Sequence, residues 1–149
     1  MNKVELDKME ASVVIYHVRY SQWVSNLVPV RNKTGDIRFC VDFRHLNRVS
    51  LKDNYHVPPI EQILQQVSEA QMVSLLHGFS GYYQISLKPS DSHKTTFTTC
   101  WGTYAYNKMP FGLINVGNTF QHAMAISFKG LLGNIIVFYF NDLTVFSKE

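Results

Sequence analysis

Residues 135–147 read IIVFYFNDLTVFS, and this stretch decides what kind of fold the chain can form. Two β-branched and aromatic runs, IIVFYF and LTVFS, flank Asn141 and Asp142. Both of those residues tolerate left-handed backbone angles, so the stretch is a β-hairpin with Asn141-Asp142 as its two-residue turn. Moving back along the chain, the pattern recurs. KTTFTTC (94–100) and TYAYN (103–107) bracket Trp101-Gly102 as a second hairpin. VSNLVPV (24–30) and IRFCVDF (37–43) flank RNKTGD, which supplies Gly and Asp for a turn and gives a third hairpin with a basic tip.

Helical spacing fills the intervals. After Pro58-Pro59, residues Ile60, Ile63, Leu64 and Val67 fall at i, i+3, i+4 and i+7, with Pro59 suited to a first helical turn. From about Thr119, Phe120, Ala123, Met124 and Phe128 recur on one side before Gly130 and Gly133. MVSLL (72–76) has the pattern of a compact buried strand, ended by His77 and Gly78, and a loop through FSGYYQ follows. Strands and helices alternate irregularly and hairpins dominate, which favours an antiparallel α+β sheet over a parallel βαβ one. With no repeat, low-complexity run or linker, residues 1–149 are expected to form one domain.

Composition sets outer limits. At 149 residues, 46% hydrophobic and 13% aromatic, the chain has enough apolar material for a core. Its longest apolar run, 135–140, falls far short of the roughly 18 to 20 residues of a membrane span. The opening MNKVELDKMEAS lacks the basic start and long apolar middle of a secretion signal, so the expectation is an intracellular protein that neither enters nor crosses a membrane. Cys40 and Cys100 fit neither a redox pair nor a zinc set, and free, buried thiols are expected.

The net charge of +3 is too small by itself to imply a nucleic-acid partner, but it is unevenly placed. Residues 1–30 and 57–149 each balance. The excess lies between Arg31 and His56, where Arg31, Lys33, Arg38, Arg44, Arg48 and Lys52 face only Asp36, Asp42 and Asp53. An ordinary solvated basic face explains such a strip as well as a phosphate contact does.

Six ordered blocks carry more information than charge: WVSNLVPV, IRFCVDFRHLN, LKDNYHVPPI, FSGYYQI, KTTFTTCWGTYAYNKMPFGL and the closing YFND. Together, from about Tyr20 to Lys148, they resemble the reverse transcriptase (RNA-directed DNA polymerase) of gypsy-type long-terminal-repeat retrotransposons. The resemblance implies the fingers and palm of that enzyme: an antiparallel palm sheet backed by helices, with the thumb and RNase H absent. It also implies a place in a Pol polyprotein, with an RNA or DNA template-primer and a deoxynucleoside triphosphate as partners.

In that family the palm holds two Mg²⁺ or Mn²⁺ ions between three aspartates. The first precedes the run matched here by Gly78-Phe79-Ser80-Gly81-Tyr82, and its position is occupied by His77. The other two form the YxDD turn, which here is Tyr139-Phe140-Asn141-Asp142, so only Asp142 keeps its carboxylate. Mg²⁺ is a hard ion that requires oxygen ligands and concentrated negative charge, and imidazole suits softer ions such as Zn²⁺. Losing a single supporting partner commonly costs roughly 10 to 100-fold in metal affinity or activity, so losing two direct ligands should cost more.

By the same resemblance Arg38 would grip the incoming triphosphate, with Arg31 or Lys33 in the hairpin tip as a second phosphate contact. Tyr82 stands at the aromatic position that excludes a ribose 2′-hydroxyl, although packing alone would also explain a buried tyrosine there. Phe111 and Gly112 fall in the nucleotide pocket, and Gln121 on a helix facing the template. Phe120 is expected to serve the core. Asn118 replaces a small residue and is expected to disturb packing of that helix. The resulting expectation is a catalytically inactive reverse transcriptase-like domain. The alternatives are a nucleic-acid-binding module without chemistry and an expressed pseudogene product without a selected role.

Overall fold

A computed structural model describes residues 3–32, 35, 37–78 and 81–147. In chain order it contains α1 (Lys3–Ala11), β1 (Ile15–His17), β2 (Leu27–Arg31), β3 (Ile37–Val41), α2 (Arg44–Val49), α3 (Ile60–Val67) and β4 (Met72–His77). A 3₁₀ turn at Gly81–Gln84 leads to α4 (Pro89–Ser92), β5 (Phe97–Thr99), β6 (Gly102–Tyr106), α5 (Val116–Ser127), β7 (Ile136–Tyr139) and β8 (Asp142–Ser147). All strand pairing in the three sheets is antiparallel, as the dominance of hairpins requires. No helix among the described residues is long and apolar enough to cross a membrane.

The chain forms two compact units, Met1–Leu51 with Tyr82–Ile114, and Lys52–Gly81 with Asn115–Glu149. Each is assembled from two separated segments, which is why no linker marks their border in the sequence.

The first unit holds a sheet of order β1-β6-β5 and the two-stranded ribbon β2-β3. Its core is aromatic and dense. Leu6, Ile15, Phe97 and Tyr104 have almost no solvent exposure, Phe43 and Tyr106 pack with them, and the Phe97 and Tyr106 rings lie 5.2 Å apart. Burial pushes the Tyr106 hydroxyl far above the usual tyrosine range, so it stays neutral. The β2-β3 hairpin runs from Leu27 opposite Val41 to Arg31 opposite Ile37. It has no third strand among the described residues, in keeping with Cys40 being exposed rather than buried; Cys100, in a hairpin turn, is exposed too.

The second unit is a three-stranded sheet of order β4-β8-β7, with α3 and α5 packed on β7. Ile136, Val137 and Phe138 of β7 are buried, as are Val116 and Phe120 of α5. β4 departs from expectation. The MVSLL strand forms, but every residue of β4 is exposed. It is the edge strand, and the helices pack at the opposite edge, so its apolar run has no covering layer among the described residues.

Three boundaries also shift. Pro59 caps α3 from outside and does not occupy its first turn. Helix α5 begins at Val116, earlier than the expected Thr119, and Asn115 and Asn118 bond to a neighbouring segment. Asn115 accepts a hydrogen bond from the Asp53 N–H (2.9 Å), and the Asn118 amide donates to the carbonyls of Asp53 (2.9 Å) and Tyr55 (3.3 Å). Asn118 therefore tethers backbone where disturbed packing was expected. Finally, Tyr139 pairs with Asp142, so the turn is Phe140-Asn141 and Asp142 already belongs to β8. The second hairpin shifts the same way, with Thr99 paired to Gly102 and Cys100-Trp101 in the turn.

Candidate active site

The β4–β8 register decides which residues of the expected metal centre meet. It sets His77 directly opposite Asp142, the closing pair at the hairpin end of the two strands. Side chains opposite each other on one sheet face are close enough to touch. Here His77 Nδ1 lies 2.9 Å from Asp142 Oδ1, with the two side chains 72% and 71% exposed. A carboxylate can only accept, so the imidazole presents an N–H at Nδ1.

Asn141 is held differently. Its backbone carbonyl accepts the Gly78 N–H at 2.8 Å, extending the β4–β8 ladder beyond His77. Its side-chain oxygen is buried without a hydrogen-bond partner among the described residues, 3.2 Å from the point where a side chain on Gly81 would begin. The turn that presents it carries strain, since Phe140 sits at φ +53°. Packing imposes this conformation: the Phe140 ring meets Tyr139 edge-on at 4.5 Å, and a methyl group on Gly117 would come within 2.6 Å of it. A side chain at 117 would require the Phe140 ring to shift.

Below the turn, Gln121 of α5 is 3% exposed, and its side chain is bonded to the hairpin. Its amide donates to the Phe138 carbonyl (3.2 Å) and accepts the Phe140 N–H (3.1 Å). Gln121 thus pairs backbone groups that the hairpin leaves open, a role that no local spacing announces. Phe120 is buried, in keeping with core packing.

This donor set does not fit two divalent ions. It offers one carboxylate, already hydrogen-bonded to an imidazole, and an amide oxygen turned into the protein. Among the described residues no group of three His, Cys, Asp or Glu side chains could hold a metal ion. Hard ions bound next to phosphates need several oxygen ligands and strong negative charge.

The expected nucleotide residues lie in the first unit. Arg38 pairs with Val30 and Arg31 with Ile37. Consecutive positions on a strand face opposite ways, so the two exposed arginines project from opposite faces of the ribbon. The structure does not bring them onto one phosphate, and Lys33 lies outside the described residues. Arg44, counted in the basic strip, is committed elsewhere. Its guanidinium donates to Asp42 at 2.6 and 2.9 Å, and this charge-assisted pair holds the Asp42 carboxyl down at about 2.

Tyr82 is 8% exposed and meets the ring of Phe111 edge-on at 4.7 Å, while Phe111 itself is 58% exposed. Gly112 adopts φ +95°, a conformation that a side chain would strain. Its carbonyl accepts the Asn47 amide at 2.7 Å, and the Asn47 oxygen accepts the Ile114 N–H at 2.9 Å. The loop bearing Phe111 and Gly112 is thus clamped by one asparagine of α2. Sequence reading missed Asn47 because its partners lie more than sixty residues away.

Residues 30–149 match the family described as reverse transcriptase (RNA-dependent DNA polymerase). The chain is 34% identical over 127 residues to the Pol polyprotein of transposon opus from Drosophila melanogaster, a match covering 85% of this chain and 13% of that protein. It is 36% identical over 112 residues to the Pol polyprotein of transposon gypsy from the same organism, covering 75% and 11%. An RNA-directed DNA polymerase homolog from Oenothera berteroana is 32% identical over 111 residues, covering 74% of this chain and 78% of its own length. The chain thus spans about an eighth of the transposon polyproteins it matches. Among solved structures, the native prototype foamy virus protease-reverse transcriptase superposes with a TM-score of 0.85 at 18% identity, covering 99% of this chain and 19% of that one. A foamy viral protease-reverse transcriptase bound to an RNA/DNA hybrid also gives 0.85, at 17% identity and with 100% and 21% covered. Motif order, antiparallel architecture and family match agree, and the chain belongs to the reverse transcriptase family.

Proposed function

We propose that this chain is the fingers-and-palm portion of a retrotransposon Pol polyprotein that no longer catalyses nucleotidyl transfer. The observation that carries this reading is the His77–Asp142 hydrogen bond at the place where two metal-binding carboxylates would face each other. Reverse transcriptases generally use divalent ions. Here one carboxylate remains, and two such ions bring four positive charges to a site that offsets one of them. His77 supplies an N–H donor toward Asp142, and Asn141 contributes a neutral amide that faces inward. What persists is backbone support within each unit: in the second, the β4–β8 ladder and Gln121 under the hairpin; in the first, the Asn47 clamp on the Phe111-Gly112 loop.

The test is metal titration of the unaltered chain beside the double substitution His77→Asp with Asn141→Asp. The double variant should bind Mg²⁺ or Mn²⁺ at least about 100-fold more tightly. Equal affinity would sink the assignment of the lost centre. Primer extension on a homopolymer template completes the test, with no incorporation expected from the unaltered chain and robust incorporation counting against inactivity.

A second reading, a nucleic-acid-binding module without chemistry, is favoured by the exposure of Arg31 and Arg38 on a ribbon that has no covering element among the described residues. Foamy viral relatives of this fold have been solved with double-stranded DNA and with an RNA/DNA hybrid. If the module reading holds, affinity for a template-primer duplex falls steeply with salt, and Arg31→Ala with Arg38→Ala flattens that slope. Identical slopes for variant and unaltered chain would remove this reading.

A further inference from the structure

Helices α3 and α5 both pack on β7, and between them the second unit holds a cavity of about 260 Å³. Every residue lining it lies between 55 and 138, within that one unit. Ile63, Leu132, Val137 and Phe138 form apolar walls. Tyr55, Gln62, Gln66 and Gln121 supply polar groups, and no Asp, Glu, Lys, Arg or His among the described residues lines the space. A ligand held here is therefore neutral, because burying an unpaired charge costs far more than burying a hydrogen-bonded amide.

These polar groups have hydrogen-bonding capacity to spare. Gln62 and Gln66, one helical turn apart on α3, make no side-chain hydrogen bond among the described residues, and neither does the Tyr55 hydroxyl. Gln121 is 3% exposed; its amide donates to the Phe138 carbonyl (3.2 Å) and accepts the Phe140 N–H (3.1 Å). A primary amide has two N–H donors, so the second is left without a partner among the described residues. Tyr55 is fixed in place. Its backbone N–H donates to Asp53 Oδ1 (2.9 Å), its carbonyl accepts the Asn118 amide (3.3 Å), and its ring stacks on His122 with centroids 4.6 Å apart. Donors and acceptors held ready in this way lower the cost of ordering a bound ligand.

We propose that this cavity is a binding site for a free nucleobase. A glutamine amide is planar, presents a donor beside an acceptor, and pairs in bidentate fashion with the edge of a base such as adenine. Volume decides the size of the ligand. Drug-sized molecules occupy about 300–1,000 Å³, so a space of about 260 Å³ takes a compact ring rather than a nucleotide with its sugar and phosphates. With no cation in the lining, phosphate groups gain no anchor there. The site includes neither the His77–Asp142 pair nor the arginines of the β2-β3 ribbon, so it stands whether or not the metal centre is lost.

Titration of the isotope-labelled chain with adenine and with cytosine, followed by NMR, should give saturable shifts of the Gln62, Gln66 and Gln121 side-chain amides. The dissociation constant should be about 1 mM or tighter. Ala125 lines the cavity, and Ala125→Leu should fill it and abolish binding. Gln62 and Gln66 are exposed on α3, so Gln62→Leu with Gln66→Leu leaves the fold intact, which circular dichroism checks. That double variant should bind about tenfold or more weakly. Indole, a planar ring without an acceptor, should also bind about tenfold or more weakly, and adenosine 5′-monophosphate should bind no more tightly than adenine. Shifts that fail to saturate, or indole binding as tightly as the bases, would reduce the cavity to an apolar crevice and overturn the proposal. Undiminished binding by Ala125→Leu or by the glutamine double variant would place the ligand elsewhere and overturn it too. So would a monophosphate that binds about tenfold more tightly than its base, because a cation would then be the anchor.

Discussion

In the first unit Leu6, Ile15, Phe97 and Tyr104 are at most 1% exposed, whereas in the second the apolar residues of β4 remain 48% to 78% exposed. Both sets consist of large apolar or aromatic side chains. What separates them is the number of covering layers: the β1-β6-β5 sheet is packed by aromatic rings and α1, while β4 is an edge with no covering layer among the described residues. The contrast extends to chemistry. The loop of Phe111 and Gly112 is clamped by Asn47, and the hairpin of Asn141 and Asp142 has its backbone support from Gln121. On the proposed reading, architecture would outlast the reaction it once positioned, because these backbone hydrogen bonds do not depend on a bound metal.

The largest effect should come from the dense core. Phe97→Ala removes a fully buried ring and should cost about 3–5 kcal/mol in urea unfolding. Leu75→Ala should cost less than about 0.5 kcal/mol in a monomeric sample, because its side chain is 78% exposed. Comparable losses at the two positions would break the contrast between the units. A smaller effect sharpens it within the second unit: Asn118→Ala leaves the Asp53 and Tyr55 carbonyls without their donor and should cost about 1 kcal/mol by the same measurement. No change would restore the expectation that Asn118 is merely an ill-fitting substitute.

The smallest effect is a pH dependence in the first unit. Hydrogen bonds from Arg44 lower the Asp42 carboxyl from 3.8 to about 2. A depressed carboxyl contributes stability that is complete above its ordinary value and is lost as pH falls through its folded one. The unfolding midpoints of the unaltered chain and Arg44→Gln should therefore differ at neutral pH, converge between pH 3.8 and about 2, and coincide in stronger acid. A difference that persists at pH 1 would mean that Arg44 contributes by packing alone.

The hairpins were legible in the sequence because alternating apolar runs and turn residues are local signals. Their exact turns were not, and both failed in the same direction. Gly102 and Asp142 resemble turn residues yet begin strands. At Gly102 the reason is close approach, since a side chain there would meet the His17 ring at 3.2 Å. At the other hairpin Phe140 takes the left-handed angle because its ring is wedged beside Gly117. Such packing constraints come from residues far away in sequence. The exposure of β4 was hidden for a related reason, because a short apolar run looks alike in a buried strand and at an edge.

Motif order was enough to locate His77, Asn141 and Asp142 as a group. The hydrogen bond between His77 and Asp142 depends on a cross-strand register linking positions 65 residues apart. The opposed faces of Arg31 and Arg38 follow from strand parity, which becomes usable only once the pairing is known.

The cross-strand partnership of His77 and Asp142 also gives evolutionary change at this site a direction. On the proposed reading, an aspartate at position 77 or 141 is a single base change away, so the route back is short in the genetic code. It is uphill in the folded protein. Restoring an acid at His77 alone replaces an attractive pair by two carboxylates facing each other on adjacent strands, and like charges directly opposite are destabilising. That penalty is relieved only when a cation arrives together with its remaining ligands. On the proposed reading, Asp142 would be better accommodated opposite histidine than opposite a second acid, and this one hydrogen bond would act as a ratchet against recovery.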